Sequence, residues 1–577
     1  MALINKLTCL FNFDLIDEQY DIFQITTSGN YIDDGSYVLD KPTLNLKALS
    51  LVFDRGKSAY ALFKKGSIDG HHLAEGLNDP KLSTKKIFSN EAENYVLLRL
   101  FMFALSNYST DENMFNNIGG RLFLTHPLWK SKNGKTIKAL DINVSNELQI
   151  NAKATTFTSF KVYKNKSKAL SSLPKYILLP NGKFRRVLND DQSKDFYINR
   201  GFPGKKTEIP FLDLKIDQLR LNRAFYIMKT LDLMSSRFKD FLSVSLSSIN
   251  VEKQVRNRRD TDFINKSFEC VSTHNIYLSR YIEPGAYDNE FESLKTQIEN
   301  LLGKEINAFS NQDKNDMEIV FLHNEEYYQG KDDPYKKLSR DHVVQCVTLE
   351  DSVDKVISDN KAVINTIFKE MTIKDDILNK HQISLDDWKS FGFTSDWIFG
   401  DVVDGKKFFM IIHPNGSFEF ERQIGILNRF KSSDVISLSK ILDETNLKGK
   451  HIVMDDKGNV NIISRTDLFC MPNPELFKLQ EVSRSKESRD KYLEGVVDIN
   501  LFKDEKDYFY NAGIIGYGMN TGIPKANLLY KITVVKGENI IEKILETMAV
   551  MFVKYNNFTV LPYPFKYLRE YIKTLDK

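Results

Sequence analysis

A chain of 577 residues exceeds what one hydrophobic core usually supports, and its 42% hydrophobic content is ample for burial, so several domains are expected and disorder over most of the length is excluded. Lys and Arg number 80 against 77 Asp and Glu, a net charge of +3 that lacks the overall excess of a protein that simply coats DNA; any nucleic-acid surface must come from local segregation of charge. Cys9, Cys270, Cys346 and Cys470 lie far apart without a CxxC pair, which speaks against a disulfide framework and a structural zinc site, and with no apolar stretch of membrane-spanning length this predicts a cytoplasmic protein with no membrane partner.

From the N-terminus, strand-like runs at Tyr37 to Leu39 and Leu49 to Phe53 accompany a helical stretch from Asn90 to Ser106. There Ala92, Tyr95, Leu98, Met102 and Leu105 recur at three- and four-residue intervals, and residues 1–150 read as an α+β domain. Alternation in Leu140, Ile142 and Val144, and again in Leu148, Ile150 and Ala152, predicts strands, and Pro180-Asn181-Gly182 a hairpin turn. Residues 151–255 thus read as a β-rich segment that closes in helix, Leu214 to Ser245. Arg256-Asn257-Arg258-Arg259-Asp260 then breaks the apolar pattern as a linker does.

Beyond it the elements alternate: strand Phe268 to Val271, helix Asn289 to Leu302, strand Glu318 to Leu322, strand Val343 to Leu349, helix Ala362 to Met371. This order predicts a small, mostly parallel sheet over residues 256–375. Residues 376–577 have the texture of hairpins. Lys406 to Ile412 turns at Pro414-Asn415-Gly416, His451 to Met454 turns at Asp456-Lys457-Gly458, and a helix from Asn539 to Val553 lies near the end. The fold class expected is α/β in the broad, multidomain α+β sense.

The usual enzyme signatures fail. Gly56-Lys57-Ser58 lacks the glycine that closes a phosphate-cradling loop, Gly516 to Gly522 has the wrong spacing for a dinucleotide fingerprint, and His71-His72 has no acidic partners in metal-binding spacing. The stretch from Lys161 to Lys206 says more, with twelve Lys or Arg against three Asp, interleaved with Tyr163, Tyr176, Phe184, Phe196, Tyr197 and Phe202. Cations neutralise backbone phosphates and rings stack on unpaired bases, so Lys164, Lys166, Lys183, Arg185, Arg186, Lys205 and Lys206, with Arg256, Arg258 and Arg259 of the linker, are the candidate nucleic-acid channel. A solvated basic face over a small core is the alternative.

The sharpest constellation is Tyr335, Lys336 and Lys337, then Gln345, then Asn365 and Lys369, with Lys374 beyond. Asn365 and Lys369 are four apart and share a helical face. Two cations and an amide brought together suit a terminal phosphate, and a tyrosine at the edge suits the first base. Pro-Tyr-Lys-Lys, Gln-Cys-Val and Asn-x-x-x-Lys in this order resemble the MID domain of Argonaute proteins, in which such residues clasp the 5′ phosphate of a guide. The tail from Thr521 to Tyr567 is similar in order and composition to the end of the PIWI domain.

The resemblance implies an Argonaute-like bilobal architecture: an N-terminal domain (1–150), a PAZ-like segment and helical linker (151–255), a Rossmann-like MID domain (256–375) and an RNase H-like PIWI domain (376–577). It also implies a short 5′-phosphorylated guide, DNA favoured, a complementary target DNA, and Mg as the one cofactor to consider, at the guide phosphate. PIWI cleavage needs carboxylates that hold two divalent ions. Here Asn415 stands at the second acidic turn and Arg569 at the last ligand, and the interval from Lys374 to Asn415 is too short for the usual first acidic strand, its hairpin and the glutamate-bearing loop together, so no slicing activity is expected. Among inactive prokaryotic Argonautes the pattern resembles the DdmE family of plasmid-defence proteins, whose partner is a DdmD-like helicase-nuclease; short Argonaute and PIWI-RE proteins are rivals. Two other readings stay open: a metal-dependent nuclease using Asp401 and Asp404 with Glu419 or Glu421, and a protein-interaction scaffold.

Overall fold

The computed structural model describes residues 2–29, 32, 37–54, 56, 58–108, 114–163, 173–180, 182–187, 195–201, 209–211, 221–256, 262–283, 285, 287–307, 316–324, 326–334, 338, 342–348, 361–444, 449–471, 498–504, 507–512, 528–548 and 561–575. The protein is a mixed α/β, multidomain chain. It divides into two compact units, one of Met1–Asn250, Asp467–Glu494 and Ile515–Leu528, the other of Val251–Thr466, Gly495–Ile514 and Leu529–Lys577.

In the first unit an antiparallel four-stranded sheet runs in the order Ser50–Asp54, Ser58–Lys64, Tyr20–Thr27, Leu82–Ile87. The helix Asn94–Ala104 is buried from Tyr95 to Ala104, as a helix apolar on nearly every side must be, and its one cation, Arg99, donates to the carbonyl of Phe53 at 2.8 Å. A seven-stranded antiparallel sheet follows, ordered Phe184–Arg186, Lys175–Leu178, Tyr197–Asn199, Ile150–Ser159, Thr136–Val144, Arg121–Lys130, Met114–Ile118. The boundary expected at residue 150 falls inside this sheet, where Thr136–Val144 and Ile150–Ser159 pair along their whole length. Leu214 to Ser245 is also not one helical linker: the helix is Arg223–Arg237, and Leu242 begins the strand Leu242–Arg256.

The second unit holds two sheets. The smaller is parallel, ordered Asn275–Arg280, Asp316–Leu322, Val343–Thr348, as the alternating elements predicted. The segment expected as its first strand, Phe268 to Val271, instead lies in the helix Asp262–Ser272, whose Cys270 and Val271 are buried against Phe368 and Met371 of the helix Lys361–Asp375. A short apolar run fits helix and strand equally well, and here the i, i+3, i+4 packing decides.

The larger sheet contains, in spatial order, Phe418–Arg422, Lys406–Ile412, Trp397–Val403, Lys450–Asp455 and Val460–Phe469, each pair antiparallel, followed by Leu528–Lys536, Asp507–Ala512 and Asp498–Asp504. Side chains alternate between its faces. Trp397, Phe399, Phe408, Met410 and Ile412 point to one face and pack with Phe565, Leu568 and Ile572 of the C-terminal helix Pro564–Leu575. Ile398, Phe409 and Ile411 point to the other and pack with Ile426, Leu438 and Leu442. No helix among the described residues is long and apolar enough to cross a membrane.

Candidate phosphate site

The third residue of the strand Val343–Thr348 is Gln345, and its amide oxygen lies 2.7 Å from the ammonium of Lys374, which also donates to the carbonyl of Val344 at 2.5 Å. Lys374 stands one residue before the end of the helix Lys361–Asp375, within the first residues of which the expected pair Asn365 and Lys369 lies. Desolvation lowers the Lys374 ammonium to about 8, against the nearby carboxylates of Glu570 and Glu370 that favour its charge.

The C-terminal helix brings more charge to this point. Lys566 sits 2.7 Å from Glu370 and 3.1 Å from Glu570, and Lys573 is 2.7 Å from Glu570. Burial works to raise the Glu570 carboxyl, but Lys566, Lys573 and Lys374 outweigh it and hold the group at about 2. Three ammonium groups and an amide therefore gather around two carboxylates, an excess of cation on partly buried side chains. That donor set suits a dianionic phosphate. An Mg ion, which takes oxygen ligands, would have to compete for Gln345, Glu370 and Glu570 with the lysines that engage them, just as a phosphate would have to draw those lysines from the same oxygens.

Lys369 is thus not the lysine that meets Gln345. It lies five residues before Lys374, about 140° away around the helix, so the face shared by Asn365 and Lys369 is not the face that reaches the strand. Tyr335, Lys336 and Lys337 lie outside the described residues.

Motif reading passed over one ring cluster. The parallel strands Asn275–Arg280 and Asp316–Leu322 end beside each other, and the chain just beyond them carries Glu283, His323 and Tyr327. His323 stacks on Tyr327 with centroids 4.0 Å apart, Lys331 lies 3.8 Å over the Tyr327 ring, and the Tyr327 hydroxyl donates to Glu283 at 2.7 Å. The Tyr327 hydroxyl and His323 hold the Glu283 carboxyl down at about 2. The ends of parallel strands are where open α/β sheets bind ligands, and an exposed tyrosine backed by a largely covered histidine and flanked by a cation suits a base. The signal in sequence was the run His323 to Tyr328, which has no motif spacing of its own.

The acidic centre is occupied by an arginine. Asp401, on the strand Trp397–Val403, has one oxygen 3.3 Å from Arg569 Nε and the other 3.2 Å from His451 Nδ1. Burial raises the Asp401 carboxyl, but His451 and Arg569 overcome it and the group is held below the usual carboxylate range. The interval from Lys374 to Asn415 holds the strand Trp397–Val403 with its acid and the hairpin partner Lys406–Ile412. Asn415, however, is at the wrong end: its turn adjoins Ile412, which pairs with Trp397, four residues or about 13 Å along the strand from Asp401. Its side chain caps that turn instead, accepting from Ser417 N at 3.0 Å.

The alternative acids do not join Asp401 either. Asp404 and Gly405, both with positive φ, are the two-residue turn between Val403 and Lys406. Glu421 pairs with Phe409 and Glu419 with Ile411, residues of the opposite sheet face from Asp401.

In the first unit the described cations of the basic stretch are tied into the fold. Arg186 is 3.1 Å from the buried Asp40, Lys183 donates to the carbonyl of Ser106 at 2.6 Å, and Arg185 reaches the carbonyl of Arg186 at 3.4 Å. Tyr163, Tyr176 and Phe184 are buried, and Phe184 stacks on Phe157 at 4.3 Å, so these rings are core. Lys164, Lys166, Lys205, Lys206, Arg258 and Arg259 lie outside the described residues, and Arg256 is described only as the last residue of its strand.

No protein-family model and no curated protein matches the chain. Among solved structures it is similar to Kluyveromyces polysporus Argonaute with a guide RNA, at 10% identity and a TM-score of 0.43 over 97% of this chain and 89% of that one. It is similar as well to A. aeolicus Argonaute (12%, 0.32, over 99% and 97%) and to Drosophila Piwi (9%, 0.30, over 98% and 96%). At this degree of likeness the functional reading rests on the side chains themselves.

Proposed function

We propose that the chain is a guide-directed nucleic-acid-binding protein that does not cut. In this reading the lysines around Gln345 grip the 5′ phosphate of a short guide, base pairing recognises complementary target DNA, and a partner helicase-nuclease performs the cleavage. The observation that carries the reading is the convergence of Lys374 on Gln345, 2.7 Å apart, with Lys566 and Lys573 brought to the same glutamates by the C-terminal helix. Each charge-assisted contact to a phosphate is worth roughly 1.5–3 kcal/mol, so a few suffice to select a phosphorylated end.

The absence of cutting is argued from Asp401. A two-metal site needs several acids converging on one point. Here the one acid of the central strand faces a guanidinium, and Glu419 and Glu421, two strands away, face the other way. A DNA guide, a DdmD-like partner and defence against plasmids or other invading DNA rest on the sequence resemblance to the DdmE family.

The test is to purify the protein from its host, extract bound nucleic acid and sequence it, for the natural protein and for the Gln345→Ala, Lys374→Ala double variant. Short 5′-phosphorylated oligonucleotides are expected from the first and a marked loss from the second. Equal recovery rejects the site. Metal-dependent cleavage that disappears in Asp401→Ala would establish a nuclease in its place.

A further inference from the structure

One constellation is used by neither the phosphate site nor the acidic centre. Cys270 near the end of the helix Asp262–Ser272, His274 just beyond it and Asp375 at the end of the helix Lys361–Asp375 place one ligand atom each within 4.8 Å of one another. Cys270 Sγ is 3.6 Å from Asp375 Oδ2, and His274 Nε2 is 3.5 Å from Asp375 Oδ1. Ligands held at 2.0–2.3 Å around a tetrahedral ion stand roughly 3.3–3.8 Å apart, a spacing each of these contacts matches, and a turn of the Asp375 carboxylate presents a single oxygen to an ion shared with Cys270 and His274.

The orientation of the imidazole is set independently. His274 Nδ1 lies 2.7 Å from the carbonyl of Cys270, the backbone acceptor four residues earlier; an N–H there donates to it and turns Nε2 toward Asp375. A metal-ligating histidine is held in this way by its second nitrogen. Asn379 likewise donates to Asp375 Oδ1 at 2.7 Å and fixes the carboxylate. The point on which the three groups converge already attracts positive charge: Lys380 Nζ is 2.8 Å from Asp375 Oδ2 and 3.1 Å from Cys270 Sγ. The lysine side chain is 37% exposed, whereas Asp375 is 1% exposed, so the cation can leave while the carboxylate cannot.

We propose that Cys270, His274 and Asp375 bind a borderline divalent ion of the Zn class, with the Lys380 ammonium as a displaceable occupant. One sulfur, one nitrogen and one oxygen favour zinc or cobalt over magnesium or calcium. Binding forms the metal–thiolate bond, the thiol proton leaves to solvent, and Lys380 swings out, with water in the fourth position. The ion reinforces a junction of two helix ends already made by apolar packing and by the contacts of Cys270 and His274 with Asp375. This proposal stands whether or not the chain holds a guide.

The full-length protein, stripped with a chelator and exchanged into metal-free buffer, is titrated with Co2+ and then Zn2+. A thiolate-to-cobalt charge-transfer band with tetrahedral visible bands is expected at one equivalent, and Zn2+ should bleach both. Cys270→Ser should lose the charge-transfer band, His274→Ala should bind at least about tenfold more weakly, and Lys380→Met should bind more tightly. A band that persists in Cys270→Ser would assign the metal to another thiol and overturn the proposal. So would the lack of a band in both the natural protein and Lys380→Met, a pair that keeps the test decisive even where Cys270→Ser fails to fold.

Discussion

Arg569 Nε lies 3.3 Å from the carboxylate of Asp401, on a helix and a strand that also meet through the edge-to-face rings of Phe565 and Phe399, 5.6 Å apart. The guanidinium and His451 together hold Asp401 ionised in a setting that is 9% exposed. Where a divalent ion would neutralise such a carboxylate in a nuclease, an arginine does so here. Removing it leaves His451 alone against the Asp401 charge.

Arg569→Ala should therefore destabilise the second unit by about 0.5–1.5 kcal/mol, since the guanidinium is half exposed and solvent screens the pair, read as a lowered denaturation midpoint. Divalent ions should restore little of this, because Glu419 and Glu421 face away and leave Asp401 with His451 as its one neighbouring ligand group. A variant that gained metal-dependent cleavage on losing Arg569 would contradict the reading of the centre as structural.

Lys374 and Lys369 make the sharper comparison for binding. Lys374→Ala should weaken a 5′-phosphorylated oligonucleotide by roughly 10- to 100-fold while leaving its 5′-hydroxyl counterpart nearly unchanged, since one charge-assisted contact is lost. Lys369→Ala should have a much smaller effect, because its side chain leaves the helix in another direction. Fluorescence anisotropy with the two oligonucleotides measures both.

The same lysine predicts a pH dependence. Its ammonium is lowered to about 8 by burial, so above that pH the free protein carries it neutral. A phosphate requires the charged form, so binding above pH 8 should take up a proton and affinity should fall as pH rises further. Calorimetry in buffers of differing ionisation enthalpy detects the uptake, and equal heats across buffers at pH 8.5 would show that Lys374 does not titrate with binding.

Much of this was legible in the residues. The Rossmann-like elements at 316–322, 343–348 and 361–375 are strongly periodic, and Gln345 lies in the strand where the pattern put it, with a lysine of the helix 361–375 beside it. Which lysine was not legible, because helical spacing gives faces and not their direction, and Lys369 and Lys374 differ by a rotation that only packing fixes. The strand Trp397–Val403 was hidden by Gly400, which reads as a turn residue beside Asp401. Its missing side chain is required by the neighbouring strand: a Cβ there would lie 2.6 Å from the Phe409 ring. The C-terminal helix was hidden by Pro562 and Pro564, the second of which is its first residue, where proline is tolerated. The basic stretch misled for a related reason, since a count of cations does not show which are already paired.

Arg186 tests that last point. It is paired at 3.1 Å with Asp40, whose side chain is 3% exposed and which also accepts from the amide of Gly119 at 2.8 Å. Arg186→Ala should cost about 3–5 kcal/mol, as expected when one partner of a buried ion pair is removed, and Asp40→Asn on that background should recover part of the loss. A cation that served an open groove would instead show little change in thermal stability and a lower salt dependence of nucleic-acid binding.

Asp376 gives the clearest signature of pH on the fold. It is fully buried, and desolvation raises it to about 7 although Ser384 N at 2.9 Å, Ser384 Oγ at 2.5 Å and the Tyr567 hydroxyl at 3.0 Å all donate to it. The unfolded chain releases this proton near the ordinary carboxylate range, so between roughly pH 4 and 7 the folded state binds more protons than the unfolded. Stability from this group is fully present below that window and is lost as pH rises through about 7, the reverse of a paired carboxylate. The loss is on the order of a few kcal/mol. Asp376→Asn should flatten the decline, because its amide oxygen can still accept from Ser384 N and Tyr567 while its NH2 donates to a rotated Ser384 hydroxyl. Thermal melts from pH 5 to 8 should thus converge at the acid end and separate in favour of the variant at the alkaline end, and parallel curves would show that Asp376 is ionised throughout.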